Sequence, residues 1–147
     1  MSYHQEKEWE RVDRKGRSDK KRDIKPTVSI ELKDCVYRLS FITDTPVKDV
    51  IEEILIAGSG RLKIISYLSH HFLRDIKIAN TLYMGDSNRI PVKKRTYTGK
   101  VERISTRVTQ SMYDSLSALA FSMDCSVSRV CALVLDVTVR EIGRAHV

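Results

Sequence analysis

The sequence predicts an α+β fold, mainly helical with short β-strands, built from strand–helix–helix blocks along a chain of 147 residues. Three observations predict it. Short alternating, β-rich stretches precede longer stretches whose apolar residues recur three and four apart. Thr, Ser, Pro and Gly stand where such elements start and stop. The later block also aligns without a gap on the earlier one at a shift of 65 residues, a degenerate repeat. This length bounds the chain to one compact domain or two very small ones, and 41% apolar residues are enough for a core.

Residues 1–30 read as a disordered basic arm, polar and without helical periodicity. Residues 31–88 follow as a small strand–helix–helix–strand region, either an α/β unit or a degenerate copy of the later block. Val36 to Ile42 alternates as a strand. Thr45-Pro46 opens a helix carrying Val47, Ile51, Ile54 and Leu55, since proline is tolerated in the first turn. Gly58-Ser59-Gly60 breaks it, and Leu62, Ile65, Leu68 and Phe72 mark a second helix. Ile76 to Met84 reads as another strand, and Gly85 to Asn88 as a turn. Residues 89–100 form a basic linker. From Val101 to Val108 the chain alternates again. Thr109 caps a helix to about Met123, with Met112, Leu116, Leu119 and Ala120 on one face. Ser126 caps a last helix carrying Val127, Val130, Val134 and Val137. Its valine content also suits a strand; the serine cap and the 3–4 spacing decide for helix. At the shift of 65, Val36, Arg38, Ser40, Asp49 and Leu68 fall on identical residues, Val101, Arg103, Ser105, Asp114 and Leu133. Residues 141–147, Glu-Ile-Gly-Arg-Ala-His-Val, match the translation of a common short-read sequencing adapter.

Composition narrows the partners. Lys and Arg number 26 against 19 Asp and Glu, a net charge of +7, which favours an anionic partner. The longest apolar run, Val130 to Leu135, falls far short of the roughly 20 residues that span a bilayer, and the charged N-terminus has no signal-peptide core. The expectation is therefore a cytoplasmic, nucleoid-associated protein with no membrane partner. Cys35, Cys125 and Cys131 have no CxxC spacing and read as reduced thiols, with no metal site. His70-His71 would point about 100° apart on a helix, a poor shared metal site. Gly58-Ser59-Gly60-Arg61 lacks the lysine of a phosphate loop. No catalytic constellation stands out, so the sequence points to no enzyme and no cofactor.

Residues 103–135 carry the strongest functional signal. One strand and two short helices cannot enclose a core, so the strand must pair and the helix faces must find a partner, in a dimer or a fused second copy. Alternation puts Ile104, Thr106 and Val108 on the core side and Arg103, Ser105 and Arg107 on the exposed side. Two such strands are narrow enough for the major groove of B-DNA, where arginine grips guanine O6 and N7 with two hydrogen bonds. The free N–H groups at Ser126, Val127 and Ser128 suit a backbone phosphate, and Lys100 stands near the strand as a further phosphate ligand.

This run, Arg-Ile-Ser-Thr-Arg-Val followed by the two helical segments, resembles the ribbon-helix-helix DNA-binding family over residues 101–140. The resemblance implies base reading by Arg103, Ser105 and Arg107 and phosphate clamping by Ser126, Val127 and Ser128. Thr106 stands where the family prefers a larger apolar residue, and Asp124 where it often has glycine. In the earlier block Arg38 and Ser40 are the matching second-unit candidates. The two blocks then fold together as a pseudo-dimer, dimerise separately, or use the first only for oligomerisation. The implied function is sequence-specific binding of double-stranded DNA, as a transcriptional repressor or an accessory protein of a plasmid or other mobile element. The alternative is a protein-interaction module, an antitoxin-like dimer whose 1–95 region binds a protein partner. A single-strand binder is a weaker reading, because Tyr97 is the only aromatic residue in 89–107.

Overall fold

A computed structural model describes residues 21–92 and 99–145, with side chains through 142. The chain is mixed α and β. In order it forms β1 (Arg22–Ile24), β2 (Thr27–Ser29), α1 (Ile30–Thr43), α2 (Val47–Ser59), α3 (Leu62–Ser69), β3 (Ile76–Ile78), β4 (Thr81–Tyr83), β5 (Val101–Arg103), β6 (Thr106–Val108), α4 (Gln110–Met123) and α5 (Val127–Ala145).

β1 pairs antiparallel with β6, and β2 with β5. Both ladders keep one register, from Arg22 opposite Val108 to Ser29 opposite Val101. They are one ribbon with a gap. At the gap Ile104 donates its N–H to the Pro26 carbonyl at 3.0 Å. Proline has no N–H to return, so the pair lacks its second bond. The ribbon's inner face, Ile24, Pro26 and Val28 with Ile104, Thr106 and Val108, is buried.

A helical pair follows each strand. Ser29 Oγ caps α1 by accepting from Leu32 N–H, and Thr109 Oγ1 caps α4 by accepting from Met112 N–H, both at 3.2 Å. Both helices have 14 residues and end on an aspartate in the left-handed region, Asp44 (φ 51°) and Asp124 (φ 52°). Aspartate tolerates that conformation better than most residues, so Asp124 does the work of a glycine. Caps and turns thus recur at a spacing of 80 residues. At that shift nine positions between 22–59 and 102–139 are identical: Ile24, Val28, Asp34, Leu39, Phe41, Asp44, Val47, Val50 and Leu55 fall on Ile104, Val108, Asp114, Leu119, Phe121, Asp124, Val127, Val130 and Leu135.

The shift of 65 is therefore corrected. Val36 to Ile42 is not a strand but the interior of α1, whose buried Leu32 and Val36 lie one helical turn apart. A short apolar run does not separate strand from helix, and here the Ser29 cap decides. The disordered arm is also corrected, because residues 22–29 form half of the ribbon; residues 1–20 lie outside the described residues. The strand expected over 76–84 is a hairpin, β3 with β4, turning at Ala79 (φ 55°).

α2 and α5 pack together at Gly58 and Thr138, positions also 80 apart. A Cβ on Gly58 would collide with Thr138 Oγ1. Cys131 is fully buried, and burial pushes its thiol up to about 12, so it remains a protonated apolar filler. Among the described residues no single helix is long and apolar enough to cross a membrane.

The crossing yields a stability prediction. Gly58→Ala should destabilise the protein by about 1–3 kcal/mol through overpacking. Adding Thr138→Ala should recover most of that loss, because it removes the colliding hydroxyl. Urea denaturation of the two single variants and the double variant measures the coupling; strictly additive effects would mean that the helices do not meet there.

Candidate nucleic-acid interface

Alternation along the ribbon sets six side chains outward. They are Asp23, Lys25 and Thr27 from the first strand and Arg103, Ser105 and Arg107 from the second. Asp23, Lys25, Arg103 and Arg107 are exposed, and Thr27 and Ser105 are half-buried. Asp23 lies opposite Arg107 and Thr27 opposite Arg103. Continuing the register puts Lys25 opposite Ser105 at the centre. The Arg107 Nε–H donates to Asp23 Oδ1 at 3.0 Å.

Helix contacts stiffen the ribbon from its inner side. Arg22 stacks over the Tyr113 ring at 4.1 Å and donates to Gln110 Oε1 at 3.2 Å, holding β1 against α4. At the other end Lys33 on α1 bonds Glu102 on β5. That hydrogen bond, opposed by some desolvation, raises the Lys33 pKa above its usual value and keeps the amine charged. Lys21 pairs with Glu52 on α2. Thr106, buried in the ribbon, donates its hydroxyl to the Lys48 carbonyl at 2.8 Å. That hydroxyl thus ties the ribbon to the first turn of α2.

The first amide groups of each second helix have no acceptor within the helix itself. Ser126 is exposed, and its Oγ accepts from Arg129 N–H at 3.1 Å. Val127 and Ser128 are half-buried at the head of α5. At the head of α2 stand Pro46, Val47 and the exposed Lys48, three residues the sequence analysis did not assign to DNA. Lys100 is exposed at the ribbon's end, where its carbonyl accepts from Ile30 N–H at 3.3 Å.

The inward and outward sets expected for residues 103–108 match the structure. Arg38 and Ser40 lie off the ribbon. Both lie on α1, and Ser40 Oγ donates to the Thr45 carbonyl at 2.5 Å, closing the turn after the helix. Their place is taken by Asp23, Lys25 and Thr27. The signal for that strand was present in Ile24 and Val28 flanking Pro26, but proline interrupts the alternation that marks a strand. Within the basic linker, Arg89 serves the fold by donating to the Ser69 and Phe72 carbonyls at 2.7 and 2.9 Å. Lys93, Lys94 and Arg95 lie outside the described residues. His71 is buried edge-on to Tyr67, and among the described residues no cluster suited to a metal ion occurs.

No protein-family model, curated protein or solved structure matches this chain.

Thr106→Val should lower stability by about 0.5–1.5 kcal/mol, the net worth of one hydrogen bond, while keeping the methyl packing. An unchanged denaturation midpoint would show that the Thr106–Lys48 contact contributes nothing.

Proposed function

We propose that the chain binds double-stranded DNA in a sequence-specific manner, as a ribbon-helix-helix pseudo-dimer folded within one polypeptide. The observation that carries this reading is the ribbon itself: two antiparallel strands whose outer face presents Arg103, Ser105, Arg107 and Lys25 while the inner face is sealed by helices. A two-stranded ribbon fits the major groove, and arginine there discriminates guanine by about 1–3 kcal/mol per bidentate contact. The heads of α2 and α5 supply amide groups, and Lys48 a cation, for phosphates on either side. The family resemblance of residues 101–140 supports the same reading. Repression of transcription and service to a mobile element are the roles that resemblance implies.

Because residues 22–29 already pair the reading strand, one chain forms a complete reading unit. Light scattering should give a free protein near 16.9 kDa at micromolar concentration; a stable 34 kDa species (about twice the chain mass) would mean that the ribbon is shared between two chains.

Selection of bound duplexes from a random pool, at physiological salt with competitor DNA, tests the function. An enriched motif is expected, and Arg103→Ala with Arg107→Ala should erase the preference without unfolding the protein. Lys48→Ala should weaken all sequences alike and reduce the salt slope by about one. A flat selection with folded protein would reject the reading. A protein-interaction module is the second reading, favoured by Phe41 (88% exposed) and Ile42 (70% exposed) on α1. A stoichiometric partner that survives nuclease treatment would support it.

A further inference from the structure

Resting on the DNA binding proposed above, the internal symmetry of the ribbon bears on the shape of its target site. Equivalent positions in the two blocks lie 80 residues apart, as the caps Ser29 and Thr109 and the turns at Asp44 and Asp124 show. The ribbon pairs Arg22 with Val108 and Ser29 with Val101. Lys25 and Ser105 alone satisfy both relations, being equivalent and opposite at once. A pseudo-two-fold axis therefore passes between them, through the middle of the outer face. A dimer of identical chains would carry the same residue at both positions and the same pair at both ends. This ribbon does neither. One end holds Asp23 with Arg107, and the other holds Thr27 with Arg103.

We infer that the ribbon reads a non-palindromic duplex, with Arg107 positioned by Asp23 on one flank, Arg103 beside Thr27 on the other, and Lys25 and Ser105 over the centre. The chemistry of the two flanks differs in kind. On the first, the Asp23 carboxylate engages Arg107 through Nε at 3.0 Å, on the stem side of the guanidinium. The Nη edge then points its paired donors at a guanine, whose O6 and N7 they match. The same carboxylate accepts from a cytosine N4 amine and repels phosphate, so this flank is selective rather than adhesive. On the second flank Thr27 stands opposite Arg103, so the residue across the ribbon is not a carboxylate. At the centre Lys25 donates and Ser105 both donates and accepts, so the two strands of the central base pairs meet different groups. Asp23 is a positioning residue; Arg103, Arg107 and Lys25 touch the DNA.

The same random-pool selection, run on the full chain and on four single variants, tests this. The wild type should enrich a motif that is not its own reverse complement. Arg107→Ala should flatten preference on one flank, by roughly 5- to 150-fold in discrimination, and Arg103→Ala on the other. Asp23→Asn should weaken preference on the Arg107 flank alone, with overall affinity unchanged or raised as a negative charge is lost. Lys25→Ala should flatten the centre. A palindromic motif, or single variants that each flatten both flanks, would overturn the asymmetry and leave DNA reading intact. An Asp23→Asn motif identical to the wild type would overturn the positioning role. No enriched motif from folded protein would instead remove the base-reading proposal beneath it. Circular dichroism on each variant separates these outcomes from loss of fold, and all four side chains altered are exposed.

Discussion

Pairing between residues 22–29 and 101–108 is the contact on which the remaining architecture depends. Each strand alone has an apolar face and unpaired edges, and each helical pair has an open side. Antiparallel pairing brings Ile24, Pro26 and Val28 beside Ile104, Thr106 and Val108, making one apolar floor. α2 and α5 then cross over that floor and seal it. The pairing closes a loop of about 70 residues, an entropic cost that grows slowly with length. Much of that loop is itself ordered. α3 adds Ile64, Ile65 and Leu68 to the core, and Phe72 is fully buried against the edge of Tyr83.

The connecting region also breaks the likeness between the two blocks. After α3 the chain runs past the end of α4, where Leu73 and Arg74 donate their N–H groups to the Ser122 carbonyl at 2.7 and 3.1 Å. The Arg74 guanidinium covers the Phe121 ring at 4.4 Å and approaches Asp124 at 3.7 Å. Gly85 is required beside this segment, since a Cβ there would strike the Arg74 backbone. Among the described residues the equivalent end of α1 receives no such strap, and its Phe41 is 88% exposed where Phe121 is 66%. A connection that can lie on only one side of the molecule makes the two blocks unequal, however alike their cores.

The later block was legible because its signals agree. Arg103 to Val108 follows period two, Thr109 and Ser126 are caps, and both helices show 3–4 spacing. Even the core-side and outward residues of the strand follow from period two. The earlier block misled for a physical reason. Pro26 breaks the hydrogen-bond pattern and the polar alternation of its strand, while Val36 to Ile42 within α1 happens to alternate. Taking Val36 to Ile42 as the strand gives the shift of 65 and points to Arg38 and Ser40. The true strand lay inside what composition marked as a charged arm. Its charges, Lys21, Arg22, Asp23 and Lys25, are the outer and end positions of a ribbon, three of them already engaged by Glu52, Tyr113 and Arg107.

The distribution of likeness between the blocks separates what holds the fold from what varies on it. Identical pairs at the shift of 80 include Ile24 and Ile104, Val28 and Val108, Val50 and Val130, and Leu55 and Leu135, buried in both blocks. Asp44 and Asp124 fill the same left-handed turn. The buried pairs belong to one shared core, so their side chains are constrained by packing from both blocks. The outward pairs are free of that constraint, and all three differ: Asp23 against Arg103, Lys25 against Ser105, Thr27 against Arg107. In a dimer of identical chains one substitution on the outer face is made twice. Joined in one chain, each half can change its outer residues alone while the shared core stays matched. The fold thus keeps two-fold packing inside and carries unequal chemistry on the two ends of the ribbon outside.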